Sequence, residues 1–210
     1  MTRESPGAQG RAHWETVHAT RAPDSLSWYQ ANPMTSVDLI RSFGDDPNTA
    51  VIDIGGGSSL VVDHLLEAGY TDLTVLDISE KALEIAKTRL ASASNAVQWV
   101  SDDILQYRFP RTYEIWHDRA AFHFLIDTGR QQRYIDRMRT SLQIGGVAII
   151  ATFAPDGPSE CSGLPVQRYS EETLTDKLGS QFKPLRFDRE AHDTPQGKTQ
   201  HFLYGCYERQ

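Results

Sequence analysis

Apolar and polar positions along this chain alternate between two periods. Short apolar runs such as VIDI, VLD, VQWV and VAIIATF have the length and β-branched content of buried strands, and longer stretches between them repeat apolar residues every three to four positions. The pattern predicts strands at 50–54, 72–77, 97–101, 112–117 and 146–153, with helices over 58–68 and 79–92 and within 119–142. In the second helix Ser79 is the expected N-cap, and Ala82, Leu83, Ile85, Ala86 and Leu90 form one stripe. Strands that alternate with helices become parallel neighbours, so the fold class expected is α/β, a doubly wound, mostly parallel sheet with helices on both faces. Ahead of it, helices at about 13–20 and 33–43 flank the loop RAPDSLSWYQ and make a short N-terminal cap. Behind it come a turn-rich loop at 154–169, a helix at 170–179, and strands at 181–188 and 200–207 close enough in sequence to pair antiparallel. One domain over 12–210 accounts for all of this: cap 12–45, core 46–153, substrate loop 154–169 and C-terminal unit 170–210, after a flexible tail at 1–11 rich in Gly, Ser, Pro and charge.

Composition narrows the partners. The 28 acids against 21 bases give a net charge of −7, which works against a nonspecific grip on nucleic acid or an anionic membrane. Two cysteines, Cys161 and Cys206, lie far apart without metal-ligand spacing, and the seven histidines show no HExxH pattern, so no metal is expected and the usage fits a reducing cytosol. A small-molecule substrate is the first partner to consider.

The chemistry is concentrated in VIDIGGGSSL and LTVLDIS: a strand, a glycine turn, a helix start, then a strand that ends in Asp77. A dinucleotide fingerprint asks for a third small residue at the sixth position of the turn, where this chain has Leu60, and Asp53 would face a pyrophosphate unfavourably. A cationic cofactor without phosphate suits these acids better. S-adenosylmethionine carries a sulfonium and an ammonium, its two ribose hydroxyls match the two oxygens of Asp77, and Gly55, Gly56 and Gly57 let backbone approach its methionine portion.

Over residues 47–153 the sequence resembles the class I S-adenosylmethionine-dependent methyltransferases. Asp53, Gly55 and Gly57 fill the fixed positions of their D-x-G-x-G motif. The resemblance implies Asp77 as ribose ligand with Ile78 beside the adenine, Asp103 or its neighbour Asp102 as partner of the adenine amino group, Ile104 against the ring, and His117 in the cofactor set. It also implies a seven-stranded sheet with one reversed strand. A narrower likeness, carried by His13, Trp14 and Val17 and by the pair Asp118 and Arg119, joins the chain to small bacterial methyltransferase-domain proteins and more distantly to eukaryotic protein-lysine methyltransferases.

Methyl transfer needs position and a deprotonated nucleophile more than covalent help. The acceptor enters above the carboxyl ends of the fourth and fifth strands, which makes Asp118, Arg119 and His123 the candidate catalytic residues. His123 sits among Phe122, Phe124 and Leu125 and is read either as a base or as a buried structural histidine; Arg119 is read as an acceptor-carboxylate anchor or an internal ion pair. Trp14, Trp28 and Tyr29 are candidate lid residues, and Cys161 and Arg168 candidate acceptor contacts from the long loop. The expected activity is methyl transfer to a small thiol, amine or carboxylate. A protein-lysine methyltransferase, a catalytically silent adenosyl-ligand binder and a nicotinamide oxidoreductase are the alternatives.

Overall fold

A computed structural model describes residues 6–210. The chain runs α1 (Pro6–Thr20), α2 (Met34–Phe43), β1 (Val51–Ile54), α3 (Val61–Glu67), β2 (Leu73–Asp77), α4 (Glu80–Leu90), β3 (Val97–Ser101) and β4 (Tyr113–Arg119). It continues through a 3-10 turn (Phe122–Phe124), α5 (Thr128–Ser141), β5 (Leu142–Phe153), a small hairpin β6 (Glu160–Cys161) and β7 (Leu164–Pro165), α6 (Glu171–Leu178), β8 (Phe182–Asp193) and β9 (Thr199–Arg209). Seven strands form one sheet in the order β3-β2-β1-β4-β5-β9-β8. The first five are mutually parallel, and β9 runs antiparallel to both β5 and β8. The expected fold class is therefore the observed one. Among the described residues no helix is long and apolar enough to cross a membrane.

Strand alternation sorts the core onto two faces. Ile52, Ile54, Leu76 and Trp116 pack with Tyr134 and Met138 of α5 and Leu174 and Leu178 of α6. Val51, Val75 and Ile115 pack on the other side with Val37 and Ile40 of α2, Val61 and Leu65 of α3 and Leu83 of α4. As expected, the Ser79 side chain caps α4, accepting from Ala82 N.

The N-terminus departs from expectation. Residues 6–11, assigned to a flexible tail, are the first turns of α1, while residues 1–5 lie outside the described residues. The glycines that suggested a tail are contact points: a Cβ on Gly7 would sit 2.7 Å from Asp103 Oδ2, and one on Gly10 would sit 3.8 Å from Ile78 Cδ1, so small residues let the helix lie on the ends of β2 and β3. Glu15 fixes this placement, its carboxylate accepting from Glu80 N (2.7 Å), Lys81 N (3.1 Å) and Ser79 Oγ (3.1 Å) at the positive end of α4.

Candidate active site

Two adjoining cavities open at the carboxyl ends of β1, β2 and β4. The smaller, about 60 Å³, is floored by the glycine turn and reached by Asp53, Asp77, His117 and Tyr29. The larger, about 210 Å³, runs from Asp77, Ile78, Asp102, Asp103 and Ile104 to an aromatic end made by Trp14, Trp28 and Phe124, with Cys161 and Leu164 of the hairpin beside it. His18, Trp28, Gly55, Asp77 and Arg119 line both.

The turn between β1 and α3 has the backbone its glycines imply. Gly55 and Gly57 adopt φ of +68° and +42°. Added side chains would be blocked as well as strained: a Cβ on Gly55 would come within 2.8 Å of Ala121 Cβ, and one on Gly56 within 2.5 Å of Asp53 Oδ2. Asp53 and His117 are register partners on β1 and β4 and point to the same face. The His117 Nδ1 lies 2.7 Å from Asp53 Oδ1, and its Nε2 lies 2.9 Å from Ser36 Oγ on α2. An ionised carboxylate can only accept, so Nδ1 donates and the ring holds Asp53 at the base of the smaller cavity.

Asp77 is buried, and its Oδ1 accepts from Ser79 N at 2.8 Å. Burial raises its carboxyl to about 7, against that hydrogen bond, with the charges of Asp53 and Glu15 adding to the rise. Asp102 and Asp103 both reach the larger cavity; Asp103 Oδ1 accepts from Leu105 N (2.9 Å) and Asp102 Oδ1 from Asp103 N (2.7 Å).

Three expected residues do not reach either cavity. Asp118 follows His117 on β4 and so points to the opposite face, toward α5. It is fully buried, accepting from Ala121 N (2.9 Å), Phe122 N (3.1 Å) and the Tyr134 hydroxyl. Its work is local: it holds the sharp turn after β4, where Ala120 takes a left-handed φ of 67°. His123 lies in the 3-10 turn rather than on a helix, packed on Phe124 and Phe153. Burial, then the charge of Arg119, push its imidazole down to about 3, its Nδ1 accepts from Phe153 N (3.4 Å), and its structural reading is the one the geometry supports. Arg168 donates to the carbonyls of Pro155 (3.0 Å) and Gly157 (3.3 Å) and braces its own loop.

Arg119 does reach the site, but its donors are engaged. Nε donates to the Tyr204 hydroxyl (2.9 Å), Nη1 to the Trp28 carbonyl (3.1 Å) and Nη2 to Glu190 (3.4 Å), and the guanidinium lies 4.3 Å from the Phe202 ring centroid. Glu190 also accepts from Gln30 (3.0 Å) and Thr35 (2.8 Å), which ties the loop carrying Trp28 to β8 and β9. Burial pushes Glu190 up, yet Arg119 and these hydrogen bonds hold it below its ordinary value. The internal ion pair is thus the reading of Arg119 that the geometry supports.

Sequence reasoning missed His18, Glu190 and Tyr204 in this site. Glu190 and Tyr204 lie on late strands and meet Arg119 only through the sheet order, so no local spacing marks them. His18 had a usable signal, since it stands one helical turn beyond Trp14 on the same face.

The order β3-β2-β1-β4-β5-β9-β8, with one reversed strand beyond a glycine turn and an acid at the end of β2, defines the class I methyltransferase fold. A family model described as a methyltransferase domain matches residues 51–146. The chain is similar to the eEF1A lysine and N-terminal methyltransferases of Mus musculus (26% identical over 141 residues) and Homo sapiens (23%), a match covering 64% of this chain and 20% of those proteins. It thus spans about a fifth of the length of these curated relatives. Two solved structures share its fold at 16% identity. One is the N-methyltransferase NodS from Bradyrhizobium japonicum WM9 in complex with S-adenosyl-L-homocysteine (TM-score 0.72, covering 98% of this chain and 99% of that one). The other is the 1,6-didemethyltoxoflavin-N1-methyltransferase of Burkholderia thailandensis (TM-score 0.73, covering 100% and 92%). Residues 51–146 thus carry a methyltransferase domain, set in a chain with the class I fold.

A methyltransferase domain implies S-adenosylmethionine as cofactor, and the residues present fit that group. The glycine turn floors the smaller cavity, and the acids Asp53, Asp77, Asp102 and Asp103 supply acceptors for ammonium, ribose and amino donors.

Proposed function

We propose that this methyltransferase acts on a small molecule with an apolar or aromatic body and a thiol or amine nucleophile. The supporting observation is the acceptor end of the larger cavity, where Trp14, Trp28, Phe124 and Leu164 converge under α1 and the β6-β7 hairpin. Trp14 sits 5.7 Å from Trp28 and 5.0 Å from Phe124, both edge to face, an enclosure suited to a flat apolar group. A carboxylate acceptor is disfavoured because the guanidinium that would bind it is already paired.

In this reading Asp77 holds the ribose hydroxyls, Asp103 or Asp102 the adenine amino group, Ile78 and Ile104 the ring faces, and the glycine turn with Asp53 the methionine portion. His117 positions Asp53. Trp14, Trp28 and Tyr29 exclude water from the site. The bound cofactor supplies an activated methyl on a sulfonium, and the protein's part is to align the acceptor and take its proton.

The test is transfer of labelled methyl from S-adenosylmethionine into a lysate split into small-molecule, nucleic-acid and protein fractions, with Asp77→Ala as control. Label in the small-molecule fraction is expected. A discrete labelled protein band would instead favour protein methylation, the second reading, which the sequence likeness to the eEF1A methyltransferases supports. Binding of S-adenosylhomocysteine without label in any fraction would favour a silent binder.

A further inference from the structure

Transfer from a sulfonium to an N–H or S–H acceptor releases a proton, and neither His123, the expected base, nor Asp118 beside it can take it. Asp118 is closed off by three donors, and His123 is packed between aromatic rings away from both cavities. A group able to take the proton would stand at the seam where the two cavities meet. Of the residues that line both, Gly55 offers backbone, Trp28 an apolar ring, Asp77 a carboxylate claimed by the cofactor, and Arg119 a guanidinium already engaged. The remaining one is His18. It is 7% exposed and stacks edge to face on Trp28 with ring centroids 6.2 Å apart, and its Nδ1 has no hydrogen-bond partner among the described residues. That nitrogen is closed to solvent, so it is through the other edge of the ring that His18 lines both cavities and can meet a ligand.

We propose that His18 is the general base of the reaction, taking the acceptor's proton as the methyl group arrives. The assignment rests on the small-molecule methyltransferase reading above and deepens it: the acceptor carries an ionisable N–H or S–H on a flat body held between Trp14, Trp28 and Phe124. As one carbon–sulfur bond breaks with its electron pair left on sulfur, a bond forms from the acceptor heteroatom to the methyl carbon. The acceptor's proton passes to the imidazole, which releases it to solvent when the site opens. The charges around the ring suit this cycle. Burial holds the imidazole below its ordinary range, and Glu15, three residues earlier on α1, pulls it back up. From the elements packed around it, Tyr29, Asp53, Asp77, Asp102, Asp103, His117, Arg119, Arg130 and Cys161 are the titratable groups that share its cavities. An imidazole held below its ordinary value is disposed to be neutral and able to accept a proton, and it lines the smaller cavity together with Asp53 and Asp77.

Histidine carbon-13 NMR on the full chain tests the placement without any acceptor. With His18→Gln assigning the resonance, the wild-type protein is titrated with S-adenosylhomocysteine bound and again with S-adenosylmethionine bound. A sulfonium beside the ring opposes its protonation, so the His18 midpoint should fall by about one pH unit in the second complex, while that of the exposed His201 stays put. Equal His18 midpoints with both ligands bound would overturn the base assignment alone; failure of both ligands to bind in calorimetry would overturn the cofactor reading beneath it. In the labelled-methyl assay, His18→Asn should bind S-adenosylhomocysteine within about twofold of wild type, lose at least roughly tenfold of the transfer rate at pH 7, and lose the fall in rate that wild type shows on the acid side. An unchanged rate and pH profile in that variant would also overturn the proposal.

Discussion

Two carboxylates near the ends of neighbouring parallel strands behave in opposite ways. Asp77 ends β2, Asp118 lies one residue before the end of β4, and only β1 separates the two strands. Burial raises both, to about 7 for Asp77 and about 6 for Asp118. Asp118 is offset by two backbone amides and the Tyr134 hydroxyl, all within 16 residues along the chain. Asp77 has the single amide of Ser79, and Asp53 and Glu15 work against its charge. A buried acid whose acceptors are filled locally builds a turn, whereas one left short of donors is held ready for a ligand that brings them.

The sharpest way to break this comparison is to remove each charge in turn. Asp77→Asn should weaken S-adenosylhomocysteine binding by about a hundredfold or more, since each hydrogen bond to a charged group contributes roughly 1.5–3 kcal/mol. The same change should raise the melting temperature of the ligand-free protein above pH 7, because a poorly compensated buried carboxylate disappears. Asp118→Asn should do the reverse: it destabilises the fold by about 2–4 kcal/mol, as expected when a filled buried network loses its charge, and leaves ligand affinity within a few fold. Calorimetry and thermal melts on both variants decide the matter, and the same pattern in both would end the distinction.

A smaller effect is expected at Gly57, where φ is +42° and an added Cβ would lie 2.6 Å from Asp77 Oδ2. Gly57→Ala combines strain with displacement of that oxygen, and it should cost about 2 kcal/mol in ligand affinity, roughly thirtyfold. Gly145→Ala sharpens the reading: φ there is +79° but no atom lies within 4 Å of an added Cβ, so it should lower stability and leave calorimetric affinity alone.

The same contrast explains what could be read from the chain. The glycine turn, Asp53, Asp77, the acids at 102 and 103 and the alternation of strands with helices all follow from local patterns, because a strand–turn–helix unit specifies its own backbone and its outgoing acid. Asp118 misled because residues next to the turn after β4 look alike in sequence, and only strand parity tells His117, which faces Asp53, from Asp118, which faces Tyr134. Arg119 was placed correctly near the site but its use was hidden, since Glu190 and Tyr204 stand 71 and 85 residues away. The first turns of α1 were misread for a different reason: Gly7 and Gly10 lower helix propensity, and the close approach of Gly7 to the Asp103 side chain has no local signature.

The gentlest probe of the Asp77 contrast is pH. In the unfolded chain its carboxyl has its ordinary value of 3.8, and in the ligand-free fold burial raises it to about 7. Because the folded value is raised, the folded state binds the extra proton between these limits; the stability this group contributes is fully present below about pH 4 and is lost as pH rises toward 7. Ligand affinity should run the other way, since only the carboxylate can accept from both ribose hydroxyls. Affinity for S-adenosylhomocysteine is expected to climb about tenfold from pH 6 to pH 8, as the charged fraction of a group titrating at about 7 rises from roughly a tenth to nine-tenths. Asp77→Asn should flatten that rise, whereas Asp118→Asn should keep it. A calorimetric series that stays level across this window in the wild-type protein would mean that Asp77 is already charged before the ligand arrives, and the idea of an acid held short of donors until ribose supplies them would fall with it.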